Sequence, residues 1–146
     1  LETFAVKRKK KKKKETGWAR KACVQVQLYA RLRDTDWEGY GTCCCCGKVV
    51  HMRRDGQGGH FAAKGRSYNA AAIDPRNVNL QCCKCNMPGS GAEAAYAIFM
   101  LNNYGRVAIA EIYVLRYKIL PWQEFRDAAK MFKELNKEML ADKGFA

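Results

Sequence analysis

Cys43-Cys44-Cys45-Cys46-Gly47, read against Gln81-Cys82-Cys83-Lys84-Cys85-Asn86, decides the fold of this chain. Eight cysteines are present, yet only Cys43 with Cys46, and Cys82 with Cys85, carry the two-residue spacing of a zinc knuckle. Gly47 suits the tight turn beneath the first knuckle. Four thiolates around one Zn²⁺ make a closed tetrahedral site with no open position, so this zinc is expected to hold the fold and to catalyse nothing. Cys23, Cys44, Cys45 and Cys83 are left as bystanders.

Outward from the knuckles, hydrophobic spacing sets the neighbouring elements. Residues 15–34 read as a helix, with Trp18, Ala22, Val26, Tyr29 and Leu32 on one stripe. A loop is expected over 35–42 and a strand over 48–52. The Gly-rich stretch Asp55-Gly56-Gln57-Gly58-Gly59 reads as the turn of a hairpin, whose second strand is 60–63. Ser90 and Glu93 have capping-box spacing for a helix that stops at Gly105. A second helix is expected over 106–118. A third follows Pro121, with Trp122, Phe125, Ala129, Phe132, Leu135 and Met139 as its stripe. That last stripe either packs on the 15–34 helix or joins two copies in a homodimer.

The charge balance points to a polyanion. Lys and Arg number 27 against 14 Asp and Glu, a net +13, and eight of the basic residues form the run 7–14. Without that run 19 basic residues still face 14 acidic ones. Nucleic acid is the first candidate partner. Residues 1–14 are expected to be a disordered basic tail. A hydrophobic share of 48% excludes a wholly disordered chain. No apolar stretch reaches the roughly 18 residues of a membrane span, and no secretory segment follows the basic start. The chain is therefore expected to be soluble and intracellular, with no membrane partner. Its start at Leu1 rather than Met is what a fragment would show.

Between the knuckles lie Gly59-His60-Phe61 and Asn77, with Asn86 directly after Cys85. A His-bearing hairpin followed by Asn and a further ligand on a helix is the ββα-metal arrangement of HNH nucleases. There a His must reach the water beside a phosphodiester, and one divalent cation neutralises the leaving oxygen. The expected fold is α+β: a zinc-bound treble-clef or ββα-metal (HNH-like) core within 15–90, comprising the N-terminal helix and the nuclease core, with a C-terminal helical region over 91–146.

The ordered set Gln27-Leu28-Tyr29-Ala30-Arg31-Leu32-Arg33-Asp34, Cys46-Gly47, Gly59-His60-Phe61, Asn77-Val78-Asn79-Leu80-Gln81-Cys82-Cys83-Lys84-Cys85-Asn86 and Tyr104-Gly105 resembles the NinG/Rap recombination endonucleases of lambdoid phages. The resemblance implies a metal-dependent endonuclease acting on branched DNA such as Holliday junctions and D-loops, in the cytoplasm of a phage-infected bacterium, with structural Zn²⁺ and catalytic Mg²⁺ or Mn²⁺. It implies His60 as general base, Asn77 as the Asn that braces the hairpin (Asn79 in another register), and Asn86 as ligand of the catalytic metal. Many HNH proteins carry an Asp directly before the His, where this chain has Gly59. Gln57, Asp55 and His51 are the substitutes that remain. Arg53, Arg54, Arg66 and Lys84 are placed to meet phosphate. Two other readings compete: a non-catalytic zinc-dependent DNA-binding module, and an HNH nuclease acting in packaging or defence.

Overall fold

The computed structural model describes residues 2–145, with side chains described from Gly17 to Phe145. The basic tail expected over 1–14 lies outside the described side chains. Helix α1 (Glu2–Arg33) presents Ala19, Ala22, Cys23, Val26 and Ala30 as one buried face. Three- and four-residue spacing of mostly small side chains lets a second helix approach closely. That helix is α5 (Trp122–Asp142), which buries Phe125, Ala129, Phe132 and Asn136. Phe125 and Ala129 pack on Ala19 and Ala22; Phe132 packs on Val26 and Ala30, with its ring 5.3 Å from that of Tyr29. The two helices run in the same direction. Lys143, at the α5 end, donates to the carbonyls of Thr35 and Asp36 just beyond the α1 end, at 2.5 and 2.9 Å. The α5 stripe offered above for a dimer is thus buried against α1 and is not free to meet a second copy through Phe125 or Phe132.

Two short antiparallel ladders sit at the other side of α1. Strand β1 (Tyr40–Thr42) pairs with β2 (Val49–His51), with the first cysteine run as their connection. Strand β3 (Gly56–His60) pairs with β4 (Val78–Cys82), setting Gly59 opposite Asn79 and His60 opposite Val78. This corrects two expectations. Residues 40–42 are strand rather than loop, and the Gly-rich segment is itself a strand, not the turn of a 48–52/60–63 hairpin. The reason is space. A Cβ on Gly58 would lie 2.7 Å from the Gln27 carbonyl oxygen of α1, and one on Gly59 would run into Gln81 Oε1. Only a strand without those side chains fits between α1 and β4, so packing overrides the turn preference of glycine.

Arg33 and Asp34 join α1 to β4. Arg33 makes a two-pronged pair with Asp34 (2.6 and 2.8 Å) and donates to the Pro75 and Val78 carbonyls and to Asn79 Oδ1. Asp34 in turn accepts from the Leu80 amide at 3.0 Å. Two 3-10 turns, Ala70–Ile73 and Pro75–Asn77, lead into β4, and the short helix α2 (Cys83–Asn86) follows it directly. Helices α3 (Glu93–Asn103) and α4 (Gly105–Leu115) meet at Gly105, whose φ of +83° is the left-handed value that favours glycine. Tyr96, Met100 and Ile112 of this pair close over Ala62 and Ala71. The capping box does not form: the α3 cap position is Ala92, while Ser90 Oγ accepts from the Ala92 amide and donates to the Cys85 carbonyl. Among the described residues no helix is long and apolar enough to cross a membrane.

Phe132→Ala should cost about 3–5 kcal/mol of stability, as large-to-small core changes do. Urea unfolding followed by helical signal measures this, and a cost below about 1 kcal/mol would mean that α5 is not part of the core.

Candidate metal centre and the groove beside it

The sulfurs of Cys43, Cys46, Cys82 and Cys85 all lie within 4.8 Å of one another. Local backbone geometry produces the first half. The Cys43 amide donates to the Lys48 carbonyl, and the Gly47 amide donates back to Cys43 with φ of +73° at Gly47. In the second half Cys82 caps α2, its sulfur accepting from the Cys85 amide at 3.4 Å. The Cys44 amide donates to the Leu80 carbonyl and stitches the halves together. A tetrahedron with metal–sulfur bonds of about 2.3 Å has sulfurs about 3.8 Å apart, and Cys46 and Cys82 are 3.8 Å apart. The donor set and spacing fit a metal ion such as zinc. Burial pushes the Cys43 thiol up, but backbone hydrogen bonds from Cys46, Cys82 and Cys45 outweigh it and bring the thiol down to about 7. Burial pushes Cys44 well up instead, in keeping with an inert thiol. Cys45 and Cys83 sulfurs accept from Gln81 and Gln57 and stand outside the cluster.

His60 ends β3 and is largely enclosed. Its Nε2 lies 3.0 Å from the Ala72 carbonyl oxygen and 3.8 Å from Cys23 Sγ. A carbonyl only accepts, so Nε2 carries the proton of the neutral ring and Nδ1 carries the lone pair. Burial, reinforced by the charge of Lys64 and opposed by the Ala72 hydrogen bond, lowers the His60 pKa below its ordinary value. His60 lines a groove of about 650 Å³ together with Gln81, Asn86, Glu93 and Tyr96.

Asn77 is fully buried and braces the chain just past His60. Its Oδ1 accepts from the Ala62 amide at 2.7 Å, its Nδ2 donates to Ala62 and Ala71, and its carbonyl accepts from the Phe61 amide. Asn79 instead accepts from Arg33 and Tyr104 and donates to Tyr96 Oη, a buried network that does not include His60. Asn86 Nδ2 donates to Gln57 Oε1 at 2.8 Å. Gln57 and Asn86 therefore meet, as one uncharged amide pair. Asp55 sits at the opposite end of β3 from His60, where its carboxylate accepts from the His51 amide, a bond that lowers its pKa. His51 belongs to the other ladder and lies 3.2 Å from the Glu38 carbonyl. Of the described residues that line the His60 groove, Glu93 is the sole carboxylate. Mg²⁺ and Mn²⁺ bind through carboxylates and phosphate oxygens. The Gln57–Asn86 pair does not fit them: it has no charge and its facing groups satisfy each other.

The arginines chosen from sequence split. Arg53 stacks on Phe145 and donates to its carbonyl; Arg54 stacks on Tyr40 and donates to its hydroxyl. Both flank the β1–β2 ladder rather than the His60 groove. Arg66 and Lys84 are exposed. Two residues that sequence reasoning missed stand at the site. Gln81, opposite Gln57 in the ladder, lies where an Asp before His60 would need its side chain. Arg31 borders the Gln57–Asn86 pair. The signal for Arg31 was legible: Gln27 and Arg31 continue the four-residue step from buried Cys23, placing polar groups on a face turned toward the protein.

Fold and cluster together define a mixed α+β protein with four cysteines placed to hold a metal ion. The chain belongs to the NinG family, whose family model, Bacteriophage Lambda NinG protein, matches residues 2–139. Protein ninG of Escherichia phage 933W is 30% identical over 100 residues, and Protein ninG of Salmonella phage P22 is 29% identical over 100 residues. In each case the match covers 68% of this chain and 46% of the relative, so it spans about half the length of these curated relatives. No solved structure matches the chain.

Chelation of the purified protein should release about one zinc per chain and remove most of its cooperative unfolding, since structural zinc contributes on the order of 10 kcal/mol. Elemental analysis and thermal unfolding test this. Cys82→Ser should reproduce the loss and Cys44→Ser should not; a metal-free chain of undiminished stability would refute it.

Proposed function

We propose that the chain is a structure-specific DNA endonuclease with a zinc-stapled HNH-like core, acting on branched recombination intermediates. The observation that carries the reading is the state of His60. Its Nε2 lies 3.0 Å from the Ala72 carbonyl, which takes a proton from that nitrogen in a hydrogen bond and leaves Nδ1 as the base. Burial lowers its pKa, and it stands on a hairpin braced by Asn77. The order knuckle, hairpin, helix-borne cysteine, with α2 following β4 without a break, supports a treble-clef/ββα core. Membership of the NinG family and the net charge of +13 support DNA as the partner.

In this reading His60 Nδ1 takes a proton from water, and the hydroxide forms the new bond to phosphorus in line as the bond to the 3′-oxygen breaks. The 3′-oxygen leaves as a hydroxyl with a proton taken from solvent. Asn77 holds the backbone after His60, and burial excludes competing solvent from Nε2. A second reading, a non-catalytic DNA-binding module, is favoured by the lack of a carboxylate pair beside His60. Divalent-cation-dependent nicking of supercoiled plasmid separates the two, and a four-way junction compared with linear duplex at the same salt tests structure specificity. A folded, zinc-loaded chain that binds DNA and never nicks it would establish the second reading.

His60→Ala should reduce cleavage by about 10²–10⁴ while zinc content and DNA affinity persist. The pH profile has a defined sign. A folded pKa below the unfolded value of about 6.5 places the loss of neutral His60 at lower pH than for a free imidazole. The midpoint of the cleavage profile should therefore lie below about 6.5, and the rate should be level above about pH 7. Stability from neutral His60 is likewise complete above about 6.5 and lost as pH drops through the folded pKa. Single-turnover rates from pH 5 to 8 test this; a rate still climbing above pH 7 would assign the base elsewhere.

A further inference from the structure

Arg31 has no carboxylate partner among the described residues, in contrast to Arg33 one half-turn away, which is paired with Asp34. Its Nη1 donates to the Met52 carbonyl at 2.9 Å and its Nε to the Gln27 carbonyl at 3.4 Å. These bonds fix the guanidinium without neutralising it. It borders a polar slot of about 260 Å³, lined also by Gln27, Gly56, Gln57, Gly58 and Asn86. Gly58 packs directly on the Gln27 backbone, which fixes α1 and its Arg31 against β3. Asn86 lines both this slot and the His60 groove.

Gln27 Nε2 donates to the Gly58 carbonyl at 3.1 Å, so the guanidinium is the main donor here, and a fixed guanidinium with no carboxylate partner is suited to a phosphate group. We propose that Arg31, with Gln27, Gln57 and Asn86, binds a backbone phosphate of the DNA strand adjacent to the one presented to His60, so that the strand runs from slot to groove past Asn86. This rests on the DNA-directed reading above and names the part of the site that grips the strand. The facing groups of Gln57 and Asn86 satisfy each other, and each side-chain NH2 keeps a second hydrogen for a phosphate oxygen.

The test uses the zinc-loaded full chain and a labelled four-way junction, with binding followed by fluorescence anisotropy across a salt series. Arg31→Gln should weaken binding about tenfold and lower the slope of log affinity against log salt by about 0.9, the contribution of one phosphate contact. Arg31→Lys should restore the slope but not the full affinity, because an ammonium lacks the fork. Arg106→Gln, exposed on α4 and outside the slot, is the charge-matched control. Equal affinity and slope for folded Arg31→Gln and Arg106→Gln would overturn the proposal. So would an Arg31-dependent thermal shift with inorganic phosphate but no Arg31-dependent DNA affinity, which marks a free-anion site. Should Arg31→Gln not fold, single methylphosphonate linkages scanned along the strand test the wild-type chain. One linkage beside the cleaved bond should cost about fivefold or more, and uniform indifference would overturn the slot. Cleavage assayed in parallel keeps the two readings apart. Arg31-dependent binding without cutting removes the nuclease and keeps the slot; cutting that is indifferent to Arg31 does the reverse.

Discussion

Four cysteine sulfurs drawn within one metal's reach are the constraint on which the site depends. Two come from the β1–β2 connection and two from the β4–α2 junction, segments with little else to hold them together. Around them only Val50 and Leu80 add fully buried aliphatic packing, too little to order two three-residue strands alone. A metal bound there ties down β4, and β4 carries β3 and His60 through its ladder. The position of His60 thus depends, through the β3–β4 ladder, on how the four-cysteine cluster is held.

Helix α1 supplies the second support, and it does so with different surfaces in turn. Its small-residue face receives α5, where shape complementarity between alanines and phenylalanines makes the largest apolar contact. Its polar face at Gln27 and Arg31 presses on β3. Its last turn ends in the Arg33–Asp34 pair, which satisfies the carbonyls of Pro75 and Val78 and the amide of Leu80 at once. Buried charges are costly unless paired and fully hydrogen-bonded, and this pair meets that condition. Asn136 is the exception in the α1–α5 seam: its Nδ2 reaches Gln25 while its buried Oδ1 has no partner.

The electrostatics of the groove divide the work between neutral and charged groups. His60 is kept neutral by burial and by the nearby Lys64, and Asn77 and Gln81 are amides. Arg31 brings an unneutralised positive charge to the neighbouring slot. Negative charge is nearly absent from both, which suits a phosphodiester as the incoming group.

Spacing alone determined the metal ligands, because among eight cysteines only two pairs stand two residues apart, and the α1 and α5 stripes, because burial on a helix repeats every three to four residues. The resemblance to HNH-type and NinG/Rap proteins, rather than spacing, singled out His60, Asn77, Asn86 and Gln57, and the structure brings Gln57 and Asn86 into contact. What neither could settle was pairing. Glycine favours turns locally, so Gly56 to Gly59 read as a loop tip; only the proximity of Gln27 and Gln81, distant in sequence, makes a side-chain-free strand the one element that fits. The same holds for Ser90, whose capping role was displaced by a bond to the Cys85 carbonyl, and for Asp55, put at the wrong end of β3 once that strand formed. Local preference amounts to about 1 kcal/mol per residue, whereas steric exclusion by a packed helix is absolute, and that is why tertiary structure decided the strand and with it the company that His60 keeps.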